Sequence, residues 1–212
     1  HKNLNEQRLS VLNSFLIDAG IDYNGYASDI TRTYAYDTGS EFSAMITMMD
    51  QQQLALAAAG VIGQSVFDQH MLMERKIAEV LKHFGILTAS VETAIDAKII
   101  ATFCPHGLGH HLGCNVHDKG SQLANAQGDR YPEIAGHKNL NLSPIVANQI
   151  HTIEPGLYFI PSLLQKLKAG EHKDLINWPR AEAFIPYGGI RIEDNILVHG
   201  DGRLENMTRD AF

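Results

Sequence analysis

Long apolar runs, clustered positive charge and cysteine are all scarce in this sequence. No stretch approaches the roughly 20 apolar residues needed to cross a bilayer, and the most apolar segment, around Leu54 to Ile62, is short and rich in alanine. A membrane is therefore not an expected partner. The 17 Lys and Arg are outnumbered by 24 Asp and Glu, for a formal charge of −7. No Lys/Arg cluster marks a protein that works by neutralising phosphates, so nucleic acid is not expected either. Two cysteines, Cys104 and Cys114, are too few for a disulfide framework and match no zinc spacing. Both are read as reduced thiols of a cytoplasmic protein. The chain opens His1-Lys2-Asn3, without a secretion signal or an initiator methionine, as expected of a processed or partial chain.

What is present is enough for a folded domain. Of the 212 residues 44% are hydrophobic and 19% charged, and neither internal repeats nor low-complexity segments interrupt them. Residues 11–18 are rich in β-formers and end at Ala19-Gly20, and so read as a buried strand; Asn24-Gly25 is a hairpin turn signal, and residues 26–36 read as the returning strand. Residues 40–59 change to a helical period, with Met45, Met48, Met49 and Leu56 on one face. Ser65 opens a second helix to about Phe84, closed by Gly85, and Ser90 opens a third through Ile99 that gives way after Phe103. Residues 118–148 are a long polar excursion, followed by strands over 149–159 and 188–198. Strands at both ends with helices between predict an α+β fold with a largely antiparallel sheet.

Acidic residues inside β-rich apolar segments are costly unless paired or bound to metal, and four stand out. Asp18 and Asp29 lie on the two arms of the predicted hairpin, where cross-strand pairing brings their carboxylates together. An Asp capping a turn explains either one alone. Glu154 precedes Pro155-Gly156, and so ends a strand. In Gly189-Ile190-Arg191-Ile192-Glu193, alternation puts Arg191 and Glu193 on one face and the isoleucines on the other. An ion pair on a solvated sheet face is the plain explanation there.

Residues 105–118 hold His106, His110, His111 and His117, interleaved with Gly107, Gly109 and Leu108. His106 and His110 have the spacing of the helical zinc motif. The intervening catalytic Glu is absent, however, and two glycines would cost a helix about 2 kcal/mol. A looped, partly buried segment is predicted instead. Two Asp, two Glu and at least one His form a hard, oxygen-rich set suited to Mn, Co, Fe or Zn, and the excess of carboxylates suits two bridged ions.

The ordered set Asp18, Asp29, His110, Glu154 and Glu193 sits in the contexts Leu-Ile-Asp18-Ala-Gly, Ser-Asp29-Ile-Thr-Arg-Thr, Pro-His-Gly-Leu-Gly-His110, Thr-Ile-Glu154-Pro-Gly and Gly-Ile-Arg-Ile-Glu193-Asp. Together these resemble the metallopeptidases of the pita-bread fold, and within them the Xaa-Pro dipeptidase (prolidase) group and the similar organophosphorus acid anhydrolases. The resemblance runs from about Leu12 to Asp210. It implies that Asp29 and Glu193 bridge two divalent ions, manganese first, with Co, Zn or Fe as alternatives. Asp18 would complete one ion's ligands, and His110 and Glu154 the other's. It further implies Glu154 as general base, His106 and His117 as stabilisers of the scissile carbonyl and its oxyanion, and Arg191 as the partner of the substrate's free carboxylate. The implied substrate is a dipeptide ending in proline, with hydrolysis of organophosphate esters or fluorides as a side activity.

Relatives with this signature carry an N-terminal domain and pair as homodimers. Residues 1–212 are therefore expected to be an N-terminally truncated catalytic domain. A non-catalytic binding module of the same fold and an aminopeptidase of the same fold remain alternatives. Retention of all five ligand positions speaks against the first, and the placement of Arg191 leans away from the second.

Overall fold

The computed structural model of the chain describes residues 12–119, 123–125, 127–131 and 142–211. Val11, at the start of the first predicted strand, and residues 120–122, 126 and 132–141 of the excursion lie outside them.

The apolar run after Leu12 forms β1 (Ser14–Ala19), paired antiparallel with β4 (Ile30–Ala35), Asp18 opposite Thr31, but the strand is not buried as expected, since its Phe15 and Ile17 side chains are exposed. Between them β2 (Asp22–Tyr23) and β3 (Tyr26–Ala27) make a small ribbon around Asn24-Gly25. Both turn residues have positive φ, 53° and 83°, as a tight hairpin turn with primed geometry requires. The predicted returning strand is thus divided, because the chain crosses itself where the ribbon leaves the sheet. Ser28 N–H donates to the Ile21 carbonyl at 2.9 Å. A Cβ on Gly20 would lie 1.8 Å from the Ser28 carbonyl oxygen, so only glycine permits the crossing. Asp29 is left at the foot of β4, facing back across to Asp18.

Helix α1 (Glu41–Ala58) starts at Ser40, whose hydroxyl accepts from Ser43 N–H, and buries Phe42, Met45, Met49 and Leu56. Helix α2 (Val66–His83) is capped by Ser65 and buries Met73, Ile77 and Leu81. These side chains fill the core together with Phe103, Phe159, Phe184, Leu157 and Ile190. The third helical stretch is broken: Lys98 takes a left-handed φ of 54°, separating α3 (Val91–Asp96) from α4 (Ile100–Phe103). No helix of the described residues is long and apolar enough to cross a membrane.

The two late strands also divide. Residues 149–159 form β5 (Gln149–Ile153) and β6 (Gly156–Tyr158), and residues 188–198 form β7 (Gly189–Arg191) and β8 (Asp194–Val198). β5 pairs with β8 and β6 with β7, both antiparallel and in one continuous register, so Glu154 lies across from Glu193 at the interruption. Pro155, with no N–H to donate back to Ile192, sits at that break, and the Glu193 N–H, which points out of the ladder, donates to the Thr31 carbonyl at 3.1 Å. This bridge docks the long ribbon against β4. β9 (Leu204–Asn206) extends β8, and α7 (Met207–Asp210) follows it. Between β6 and β7 run α5 (Pro161–Lys168) and α6 (Trp178–Ala183), for which the sequence reading proposed no element. All strand pairings among the described residues are antiparallel, as expected of the α+β class.

Candidate active site

Where the ribbon meets β4, all eight predicted site residues line one cavity of about 420 Å³: Asp18, Asp29, His106, His110, His117, Glu154, Arg191 and Glu193. The volume lies in the range of small-molecule sites, about 300–1,000 Å³. Asp18 comes from β1, Asp29 from the foot of β4, and Glu154 and Glu193 from the ribbon's interruption. The histidines come from the loop after α4, which is not helical at His106 and His110. A Cβ on Gly109 would lie 1.9 Å from the Thr152 carbonyl oxygen, so the glycine lets this loop press onto β5. His110 N–H then donates to Thr152 Oγ1 at 3.0 Å, and Thr152 N–H to the His110 carbonyl at 2.9 Å.

The acidic groups converge. Ligand atoms of Asp18, Asp29 and Glu193 lie within 4.8 Å of one another, as do those of His110, Glu154 and Glu193, and those of Asp29, His110 and His117. His110 Nδ1 is bound to the His111 carbonyl at 3.0 Å. That leaves Nε2 facing Asp29, Glu154 and Glu193 at 3.5, 3.7 and 4.0 Å. A histidine held from behind in this way presents a lone pair to whatever the carboxylates surround.

The electrostatics point the same way. Burial lifts the Glu154 carboxyl to about 8, and the Glu193, Asp29 and Asp18 charges add to the rise against the opposing charge of Arg191. Burial lifts Glu193 to about 7, with Asp29 and Asp18 adding and the Thr31 hydrogen bond opposing. Asp29 is raised by burial and by Asp18. Burial lowers both His106 and His110, which disfavours their charged forms beside these carboxylates. Glu193 is 1% exposed, and its Oε2 accepts from Thr31 Oγ1 at 2.6 Å. Its Oε1 is buried without a hydrogen-bond donor among the described residues. Such an oxygen, in a cluster of four carboxylates, fits a bound cation, and the donor set fits hard divalent ions.

His106 stands apart from the acidic cluster. Its Nδ1 faces the Gly107 carbonyl at 2.7 Å and its Nε2 the Tyr158 hydroxyl at 2.9 Å. With Nδ1–H donating to Gly107, Nε2 accepts from Tyr158, whose oxygen accepts in turn from Arg191 Nη1 at 3.2 Å. The ring of His117 lies 4.0 Å from that of His110. Arg191 shares the cavity face with Glu193 without pairing with it. Its guanidinium bonds Asp18, Tyr158 and Thr31 Oγ1, the last at 3.3 Å, and passes Glu154 at 3.9 Å. The ion pair between Arg191 and Asp18 engages two residues for which the resemblance implied separate tasks.

Three supporting residues were not singled out from the sequence. Thr31 and Tyr158 follow Asp29 and Glu154 at the two-residue period of their strands, so alternation alone places them on the site's face. Asp194 left no such signal. It is fully buried, and accepts from Arg32 Nη2 at 2.6 Å and from Arg209 Nε and Asn206 Nδ2, each at 2.8 Å. Arg32 Nη1 also donates to the Glu193 carbonyl at 2.7 Å, which ties β4 to the strand carrying Glu193.

Antiparallel ribbons around a buried acidic cluster, backed by long helices, define a domain of the pita-bread class. A zinc-substituted Escherichia coli aminopeptidase P in complex with product matches 94% of this chain and 38% of its own length, with a TM-score of 0.68 and 27% identity. The chain belongs to metallopeptidase family M24, whose model matches residues 1–200. Among curated relatives, the Xaa-Pro dipeptidase of Pseudoalteromonas translucida is 48% identical over 93% of this chain and 45% of its own length. That of Colwellia psychrerythraea is 46% identical over 99% of this chain and 47% of its own. The chain thus spans about half the length of the curated relatives it matches.

Proposed function

We propose that this cavity hydrolyses dipeptides whose second residue is proline. The observation that carries the reading is the convergence of four carboxylates and His110, with Glu193 Oε1 unbonded among the described residues, in a chain similar to Xaa-Pro dipeptidases. In this reading residues 1–212 form the catalytic unit. Asp18, Asp29 and Glu193 would hold one divalent ion, and His110, Glu154, Asp29 and Glu193 a second. Manganese is the first choice, with cobalt, zinc or iron as alternatives. Bound there, such ions polarise a carbonyl and acidify water.

The chain's own residues do the rest. Glu154 takes a proton from the attacking water at a carboxylate oxygen and returns it to the proline nitrogen as the C–N bond breaks. That nitrogen belongs to a tertiary amide without N–H, so it leaves only once protonated. His117 holds the carbonyl oxygen as charge develops on it, and His106 joins it when its Nε2 carries a proton in place of the bond from Tyr158. Arg191 takes the substrate's C-terminal carboxylate, for which its planar fork is suited. Hydrolysis of organophosphate esters or fluorides is a side activity of the same site. Two copies associate, and Cys104 and Cys114, both free thiols, fit a cytoplasmic setting.

Aminopeptidase action at Xaa-Pro bonds of longer peptides is a second reading, supported by the likeness to aminopeptidase P. Elemental analysis of the purified chain, followed by assays on Ala-Pro and on Ala-Pro-Ala with added Mn²⁺, tests both. Two ions per chain and turnover of Ala-Pro alone support the dipeptidase, and turnover of the tripeptide alone supports the aminopeptidase. Metal without turnover of either supports a binding module.

A further inference from the structure

The face of α2 that lies beneath the histidine loop carries Gln69, which is 1% exposed. Its Oε1 has no hydrogen-bond partner among the described residues. On β5, His151 is 7% exposed and its Nδ1 is likewise buried without a partner among them. Both side chains border one small space between α2, the loop and β5, also walled by Val66, Leu108, His110 and Thr152. The space admits the centre of a water-sized sphere over about 10 Å³, the scale on which a single buried water is accommodated, about 10–15 Å³.

We propose that this space is a binding site for one structural water, which donates to Gln69 Oε1 and bonds His151 Nδ1. The loop cannot settle to close the gap. Gly109 already stands against the Thr152 carbonyl, and the two hydrogen bonds between His110 and Thr152 latch the loop at that height. Gln69 and His151 therefore both line this space, and neither Oε1 nor Nδ1 has a protein partner among the described residues. Two polar partners are what a buried water requires, whereas a space lined only by Val66 and Leu108 would stay dry. His151 suits the role in its neutral form, which burial enforces by lowering its pKa to about 4. A neutral ring nitrogen either donates to water or accepts from it. The water props the loop that presents His110 from the side away from the acidic cluster.

The inference rests on packing beneath the site, not on the peptidase reading, so each can fail without the other. A high-resolution crystal structure of the chain is expected to show one solvent peak within hydrogen-bond distance of both Gln69 Oε1 and His151 Nδ1. A structure in which either atom bonds a protein group directly, or the space is dry, overturns the proposal. Urea unfolding of Gln69→Met provides a second, independent reading. If Gln69 holds the water, removing the carbonyl leaves His151 with a deprived partner and lowers the folding constant by about tenfold. If Oε1 has no partner at all, the apolar replacement relieves a buried orphan. An unchanged or higher folding constant therefore overturns the proposal. Should Gln69→Met fail to fold, the wild-type diffraction result decides.

Discussion

The raised carboxylates make the stability of the metal-free chain depend on pH in a direction opposite to that of most proteins. Glu154 and Glu193 titrate at about 8 and about 7 when folded, against about 4.3 in an unfolded chain. A group with a raised folded pKa keeps its full stabilising share only below the unfolded value, and loses it as pH rises through the folded one. Histidines act in the other sense. Burial depresses His106, His110 and His151, so below about pH 6.5 the unfolded chain takes up the protons that the folded one refuses. Above about pH 8 the Cys104 thiol, pushed up to about 12 by burial, begins to favour the unfolded state. Between those limits the two glutamates dominate. Over about 1.5 pH units the two glutamates lose about 2 kcal/mol, of which the depressed histidines, His111 among them and all half protonated when unfolded at pH 6.5, give back about 1 kcal/mol. With a urea m-value of about 2–3 kcal/mol/M for a chain of this size, the unfolding midpoint should fall by roughly 0.4 M between pH 6.5 and 8. Saturating Mn²⁺ should abolish or reverse that slope, because ions compete with protons for the same oxygens. A metal-free midpoint that stays level or rises over this window would refute the electrostatic account of the cluster.

Glu193→Gln removes a buried charge from that cluster. The metal-free variant should be more stable than wild type at pH 8 by about 1 kcal/mol or more, while elemental analysis finds fewer than two ions per chain. An unchanged metal content would show that Glu193 holds none. Arg191→Ala should raise KM for Ala-Pro by at least tenfold while leaving KM for its C-terminal amide nearly unchanged, since only the acid offers a carboxylate to the fork. An equal rise for both would assign Arg191 to holding Asp18 and Tyr158 instead. Asp194→Ala leaves Arg32 and Arg209 without their shared carboxylate, and urea unfolding should register a loss of about 3 kcal/mol. A loss below about 1 kcal/mol would place this network among surface ion pairs of little consequence.

How much of the site was legible depended on whether each residue's reason was local. Asp18 at the end of an apolar strand, Glu154 before a proline, and Arg191 alternating with Glu193 each carry their signal within a few positions. All of them line the cavity. The helices were legible through serine caps and apolar spacing, and they begin at Ser40, Ser65 and Ser90 as those signals indicate. The divisions of the strands were less so. Pro155 marks one side of the ribbon's break, but nothing around Ile192 marks the other. That side is set by the Glu193 N–H turning to Thr31, a partner 162 positions away. Asp194 shows the limit most sharply. Strand alternation places it opposite Glu193 and therefore away from the cavity, and that is where it lies. Yet Arg32 and Asn206, 162 and 12 positions distant, make it the anchor of the strand that carries Glu193. A charge inside a strand is a reliable signal that something must pay for its burial, but sequence alone does not say whether the answer is a cation or an arginine. Asp194 has its charge answered by Arg32 and Arg209, and its carboxyl is held below the usual range despite burial. Its neighbour Glu193 has one hydroxyl and an oxygen with no bond among the described residues, and is pushed up to about 7. The two adjacent acids, equally buried, differ only in which partners the fold supplies, and that difference separates the structural carboxylate from the one left for a ligand.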